Sequence, residues 1–200
     1  MTSAHAVQTQ ASRVPFYLSV LVAFHIALVI ASNYLVQLPI TLLGFHSTWG
    51  AFSFPFIFLA TDLTVRLIGK TAARRVIMRA MLPALVVSYV VGVLFHEGRF
   101  NGWEALQSFN GFVFRIALAS FAAYVLGQLL DIQVFDRIRQ KSHSWWLAPA
   151  AASVFGQVLD TAAFFSIAFW NSSDAFMAAN WVEIAMVDYV IKLGVSLLLF

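Results

Sequence analysis

Hydrophobic side chains in this chain fall into six long runs separated by short polar segments. The runs cover residues 15 to 37, 49 to 69, 75 to 96, 110 to 130, 146 to 170 and 181 to 200. A helix that crosses a bilayer needs about 20 mostly apolar residues, and each run is long enough. The pattern therefore predicts an all-α polytopic membrane protein with six transmembrane helices, in which residues 1 to 200 form a single domain.

Composition supports this class and excludes several kinds of chemistry. Hydrophobic residues make up 61% of the chain, charged residues only 10%, and the mean hydropathy is +0.83. The absence of cysteine excludes disulfides, thiolate metal ligands and a cysteine nucleophile. No GxSxG, HExxH or phosphate-binding glycine loop occurs. We therefore expect no enzyme, no cofactor and no metal site, and a function built within the helix bundle.

Basic residues concentrate at alternate ends of the predicted helices. The segments before helix one, after helix two and after helix four contain Arg13, Lys70, Arg74, Arg75, Arg79, Arg137, Arg139 and Lys141. The loops 38 to 48, 97 to 109 and 171 to 180 contain only Arg99. The positive-inside rule places both termini in the cytoplasm. Topology thus accounts for the sequence pI near 9.5, and we expect the lipid bilayer rather than nucleic acid as a partner.

Two shorter patterns concern loops and helix contacts. Pro39 and Gly44 stand among β-branched residues in segment 38 to 48, which predicts a short hairpin. Small residues in 117 to 127 and 148 to 156 predict close helix packing. Neither stretch has a strict GxxxG motif, so the pattern is compatible with a homodimer without specifying one.

Glu183 lies close to the outer end of helix six, and Arg75 and Arg79 belong to the basic segment after helix two. Six other charged side chains lie inside the predicted spans: Asp62, Arg66, Arg115, Asp160, Asp188 and Lys192. A charge at the bilayer centre costs about 2.5 kcal/mol or more, so we expect these groups to face the bundle and to pair. Asp62 and Arg66 stand four residues apart, which predicts an intrahelical pair. Asp188 and Lys192 have the same spacing. Arg115 and Asp160 are then left to pair between helices four and five.

These charges allow two interpretations. They form structural ion pairs that fix the register of the helices, or they line a polar cavity near the midplane. The second interpretation is favoured by neighbouring amides and rings, which are Asn33, Gln157, Phe54 and Phe164. A carboxylate, amides and aromatic faces together suit a flat heterocycle that has parallel N–H donors on one edge. His25 is either a proton-relay group or a hydrogen-bonded core histidine.

Three stretches resemble the bacterial queuosine-precursor transporters of the vitamin uptake transporter family. They are SNYLVQLPITLLGFHSTWGAFSFPFIFLATDLTVRLIG, FGQVLDTAAFFSIAFW and MVDYVIKLGVSLL. The resemblance extends over essentially the whole chain. It implies a six-helix protein of the bacterial inner membrane, similar in outline to the substrate-binding subunits of energy-coupling-factor transporters. It also implies import of 7-cyano-7-deazaguanine and its aminomethyl relative.

Family motifs can be assigned residue by residue. Asp62 and Gly69 match the helix-two motif, although many relatives have an acidic residue where this chain has Arg66. The helix-five and helix-six motifs are matched by Gln157, Asp160, Thr161 and Lys192. The departure at Arg66 puts in doubt any mechanism that needs an acidic pair in helix two.

The resemblance, taken with the residue types, predicts a role for each candidate. Asp160 or Asp62 binds the N–H edge of the deazaguanine, while Asn33 and Gln157 hydrogen-bond around its ring. Phe54 or Phe164 stacks on the heterocycle. Arg115 and Lys192 keep the carboxylates ionised or donate to the carbonyl and cyano groups.

Three functions stay open in the sequence. The chain is a self-sufficient transporter, a binding subunit of an ATPase-energised importer, or a membrane enzyme or scaffold. The basic loops contain no recognisable coupling motif, which favours a transporter that requires no ATPase partner. Facilitated diffusion and proton coupling are not distinguished.

Overall fold

The computed structural model describes residues 2–96, 98–141 and 147–199. The side chains of Asp62 and Arg66 lie outside what it describes, so the predicted pair between them stays a prediction. Within the described chain there are six α-helices, which are α1 (Thr2–Leu35), α2 (Gly50–Ile68), α3 (Lys70–Leu94), α4 (Gly111–Lys141), α5 (Leu147–Phe169) and α6 (Ala175–Leu199). The fold is therefore mainly helical, as the hydrophobic runs predict.

Several helix boundaries differ from the prediction. Helix α1 begins at Thr2 rather than at residue 15, and α3 begins at Lys70 rather than at residue 75. Helix α4 continues to Lys141 and α6 starts at Ala175. An apolar run marks the part of a helix that suits hydrocarbon, whereas the backbone hydrogen bonds continue into polar sequence.

Two small hairpins connect helices at the end of the molecule that includes segment 38 to 48. Strand β1 (Pro39–Leu42) pairs antiparallel with β2 (Phe45–Thr48), and β3 (Phe95–His96) pairs with β4 (Arg99–Phe100). Leu43 and Gly44 form the first turn with φ values of 51° and 90°, as a two-residue hairpin turn with right-handed strand twist requires. The predicted hairpin is confirmed. A short 3-10 helix, Trp103–Gln107, follows β4.

Helix packing brings α2, α5 and α6 together around an aromatic core. Helix α5 lies between α4 and α6, α1 packs on α2 and α3, and β2 contacts α6. The buried core includes Phe54 of α2, Phe164, Phe165 and Phe169 of α5, and Ile184 of α6. Close packing of such side chains is a main source of helix association in lipid, where no hydrophobic driving force acts between helices.

A tight contact fixes the beginning of α2 against the end of α1. A Cβ atom on Gly50 would lie 2.9 Å from the Cα atom of Val36, which is closer than carbon atoms approach. Glycine at position 50 therefore allows the two backbones to meet.

Length and composition make two helical stretches in the described part of the chain suitable for crossing a bilayer, namely Leu18–Leu35 and Thr71–Leu94. Gly111–Gly127 and Val154–Phe169 are apolar but shorter. Large apolar side chains also point outward along the helices, for example Leu82 of α3 and Val190 of α6. Outward apolar side chains of this kind suit contact with lipid.

Candidate functional site

Lys192 is the centre of a buried polar cluster formed by α5 and α6. Its side chain is 3% exposed, and its Nζ atom lies 2.8 Å from Oδ2 of Asp188, one helical turn earlier. This is the geometry that the four-residue spacing predicts. The Asp188 carboxylate is fully buried. An unpaired charge at such a position would carry a large desolvation penalty, so each group stabilises the other in its charged form.

Helix α5 adds two oxygen atoms to the Lys192 ammonium. The Nζ atom donates to Thr161 Oγ1 at 3.1 Å and lies 3.4 Å from Asp160 Oδ2. The Asp160 side chain is 24% exposed, whereas Asp188 has no exposed surface. One cation therefore faces two carboxylates, and the carboxylate of α5 is the accessible one.

Aromatic rings form the adjoining wall. The Lys192 ammonium lies 4.8 Å from the centre of the Phe54 ring, a cation–π distance. Phe54 in turn contacts Phe164 edge to face, with ring centres 5.2 Å apart. Both rings are buried, so stacking of a heterocycle on either of them requires one of these contacts to open.

Arg115 does not pair with Asp160, so that prediction is wrong. Its guanidinium donates to the carbonyl oxygens of Ile167, Trp170 and Asn171 at 3.0, 2.6 and 3.2 Å. Ile167 is seven residues beyond Asp160, and a helix rises about 1.5 Å per residue, so the two acceptor positions are about 10 Å apart in depth. Arg115 instead satisfies carbonyl groups that have no intrahelical partner at the end of α5.

Asn33 belongs to a different polar contact. Its Nδ2 atom donates to Ser88 of α3 at 3.1 Å, and its Oδ1 atom accepts from Ser120 of α4. The amide thus links α1, α3 and α4, whereas the Lys192 cluster lies between α5 and α6. Sequence reasoning missed both serines, because single hydroxyls in apolar runs give no signal without knowledge of the facing helix.

Gln157 and His25 are both buried. Gln157 precedes Asp160 by three residues on α5, which places the two on one face. The Nδ1 atom of His25 lies 2.9 Å from the Leu21 carbonyl oxygen, one turn earlier on α1. Its Nε2 atom has no hydrogen-bond partner in the described part of the chain. His25 is thus a buried histidine hydrogen-bonded within its own helix, which is the second of the two predicted interpretations, and a role as a proton relay stays a prediction.

The first hairpin is attached to α6 by a bidentate contact that the sequence did not suggest. The backbone N–H of His46 donates to Glu183 Oε1 at 2.9 Å, and Nδ1 of the same residue lies 2.8 Å from Oε2. Each side chain is about one-third exposed, at 34% and 36%. The contact holds β2 against the first half of α6, about two and a half turns before Lys192.

A family model and three relatives match this chain. Residues 48–200 match the family described as "Putative vitamin uptake transporter". The "Queuosine precursor transporter" of Escherichia coli (strain K12) is 59% identical, covering 96% of this chain and 86% of the relative.

Two further relatives carry the name "Probable queuosine precursor transporter". The Haemophilus influenzae protein is 54% identical over 88% of this chain and 80% of its own length, and the Bacillus subtilis protein is 30% identical over 84% and 75%. No solved structure matches.

Proposed function

Because the chain belongs to the vitamin uptake transporter family, a family of membrane transporters rather than enzymes, we propose that it imports queuosine precursors. We assign it 7-cyano-7-deazaguanine and, as a second substrate, the aminomethyl relative. The proposed topology has six transmembrane helices in the bacterial inner membrane, with both termini in the cytoplasm. The names of the relatives and the distribution of basic residues support this proposal.

The accessible Asp160 carboxylate is the observation that supports the site best. A deazaguanine presents N1–H and a 2-amino group on one edge, and a carboxylate can accept both hydrogen bonds in parallel. Asp160 lies beside a buried lysine whose ammonium faces the Phe54 ring, so the edge and the ring of the substrate would each meet a suitable surface. We therefore assign Asp160 as the primary acceptor.

Other candidates take secondary roles in the proposal. Gln157 shares the face of Asp160 and hydrogen-bonds to the substrate, while Phe164 or Phe54 stacks on it after a small rearrangement of their mutual contact. Asp62 stays a second candidate acceptor. Arg115 and Asn33 are assigned to the support of the bundle, because their side chains already bond to other helices.

Uptake by the purified protein in liposomes tests the proposal. We expect wild-type protein alone to transport labelled 7-cyano-7-deazaguanine, and Asp160→Asn to lower the initial rate at least about tenfold, since an amide cannot accept both N–H bonds. Glu104→Gln, an exposed acidic residue on the 3-10 helix, is the matched control and should transport normally. Normal uptake by the Asp160 variant would remove the site assignment.

The same measurement distinguishes the proposed transporter from the second candidate function. A subunit of an ATPase-energised importer would bind the labelled precursor in liposomes without transporting it across the bilayer. Binding without transport by the wild-type protein would therefore favour that alternative over a self-sufficient transporter.

A further inference from the structure

The two carboxylates that face Lys192 are held unequally. Asp188 is fully buried, stands on the same helix as Lys192 and approaches it to 2.8 Å. Asp160 is partly exposed, stands on α5 and lies 3.4 Å away. Distance and burial both make the charge attraction between Lys192 and Asp188 the stronger one, because charges attract more at short range and in a low dielectric. The weaker contact involves the residue that the proposed function assigns to the substrate.

The Lys192 ammonium also has partners that do not depend on Asp160. Thr161 Oγ1 accepts from it at 3.1 Å, and the face of Phe54 lies 4.8 Å away. Asp188, Thr161 and Phe54 would therefore continue to hold the ammonium if the Asp160 carboxylate turned toward another donor. A buried lysine with such support can lose one carboxylate partner without being left unpaired.

We propose that Lys192 is an internal competitor for the substrate, a role that rests on the proposed function. In the empty site its ammonium binds the Asp160 carboxylate. When the precursor binds, its N–H edge replaces the ammonium, which is retained by Asp188. Asp188 is then a positioning residue, since it controls binding by drawing Lys192 away from Asp160 and does not touch the substrate.

This arrangement also selects between ligands. A ligand must supply two parallel N–H donors to compensate for the lost contact with an ammonium. A deazaguanine has them, whereas 7-deazahypoxanthine, which lacks the 2-amino group, offers only one. Competition from Lys192 weakens the binding of both ligands by a similar factor, so at a low ligand concentration only the ligand with an amidine-like edge still fills the site.

Equilibrium binding of labelled 7-cyano-7-deazaguanine to the full chain in lipid nanodiscs tests the competition. Asp188→Asn removes the charge that restrains Lys192, so the ammonium should bind Asp160 more strongly and precursor affinity should fall about tenfold. The double variant Asp188→Asn with Lys192→Met removes the competitor as well. It should bind both the precursor and 7-deazahypoxanthine at least as tightly as wild type does, because both ligands are released from the same competition. The Glu104→Gln variant serves as the control.

The outcomes are distinguishable. Unchanged affinity in Asp188→Asn would overturn the competitor role, and so would a double variant that binds about tenfold more weakly than wild type, since Lys192 would then be a direct donor to the substrate. If the single variant does not fold, the double variant decides the question alone. Loss of binding in Asp160→Asn with a weak double variant would overturn this inference and leave the proposed function intact. Normal binding by Asp160→Asn would remove this inference together with the assignment of Asp160, whereas only a wild-type protein that fails to bind the precursor would count against the proposed function.

Discussion

Three carbonyl oxygens near the end of α5 accept hydrogen bonds from one guanidinium, that of Arg115. Arg115 is a charged residue within an apolar run, and its charge alone predicts a pair with Asp160 once the other four charged residues are paired. The acceptor that a charged side chain contacts on another helix depends on the depth of both groups in the bundle and on the rotation of each helix. The sequence distance between residues of two different helices predicts neither. Spacing within one helix is encoded, which is why Asp188 and Lys192 lie together as predicted.

Replacing Arg115 separates its structural contribution from a role in transport. We expect Arg115→Gln to lower the free energy of unfolding by about 1–3 kcal/mol, because carbonyl groups at the end of α5 lose charged donors. Arg115→Lys should recover part of that loss. Thermal unfolding in detergent gives the stability, and binding of the labelled precursor gives the control. A variant of wild-type stability that no longer binds the precursor would instead make Arg115 a substrate contact.

Helices α1 and α2 meet where the side chain at position 50 is absent. Hydrophobic runs predict the six helical segments well. In lipid the backbone polar groups must hydrogen-bond within the protein, and this leaves few alternatives to a helix. They do not predict close approaches, because a glycine in an apolar run has the same appearance whether it touches another backbone or faces open space. Gly50 and Gly194 illustrate the two cases: a Cβ at Gly50 would meet Val36 at 2.9 Å, and a Cβ at Gly194 would have no described atom within 4 Å.

These two glycines form a matched pair for a stability measurement. Gly50→Ala should destabilise the protein by about 1–3 kcal/mol, because α1 and α2 must separate to admit the methyl group. Gly194→Ala should be neutral or slightly stabilising, since alanine favours the helix by up to about 1 kcal/mol and meets no clash. Equal stability of the two variants in chemical or thermal unfolding would contradict the close contact between α1 and α2.

The first hairpin depends on Glu183 of α6 for its position. Glu183→Ala removes both acceptors of His46, so the amide of His46 should exchange with solvent about tenfold faster. Hydrogen exchange followed by mass spectrometry over residues 39–48 measures this, and Glu104→Ala provides a control on the other outer segment. Unchanged exchange in the hairpin would mean that its packing on α6, rather than the contact with Glu183, holds it in place.

The molecule as a whole has a charge pattern that implies one orientation, and the absence of cysteine makes that orientation directly testable. Residues 39–48, 95–96 and 98–107 form the hairpins and the 3-10 helix. Arg74, Arg75 and Arg79 lie in the first turns of α3, at the opposite end of that helix from Phe95. A single helix therefore joins an end with several basic residues to an end with few. By the positive-inside rule, the basic end faces the cytoplasm and the other end faces the exterior.

Single cysteines introduced into this background report the orientation without interference. A membrane-impermeant maleimide should label Glu104→Cys in intact cells, because position 104 lies on an exposed 3-10 helix at the proposed outer face. It should label Arg75→Cys, which is exposed near the start of α3, only after the membrane is opened. Leu43→Cys, at the fully exposed hairpin turn, should behave as Glu104→Cys does. Labelling of position 75 but not of positions 43 and 104 in intact cells would reverse the topology, and with it the direction from which the precursor reaches Asp160.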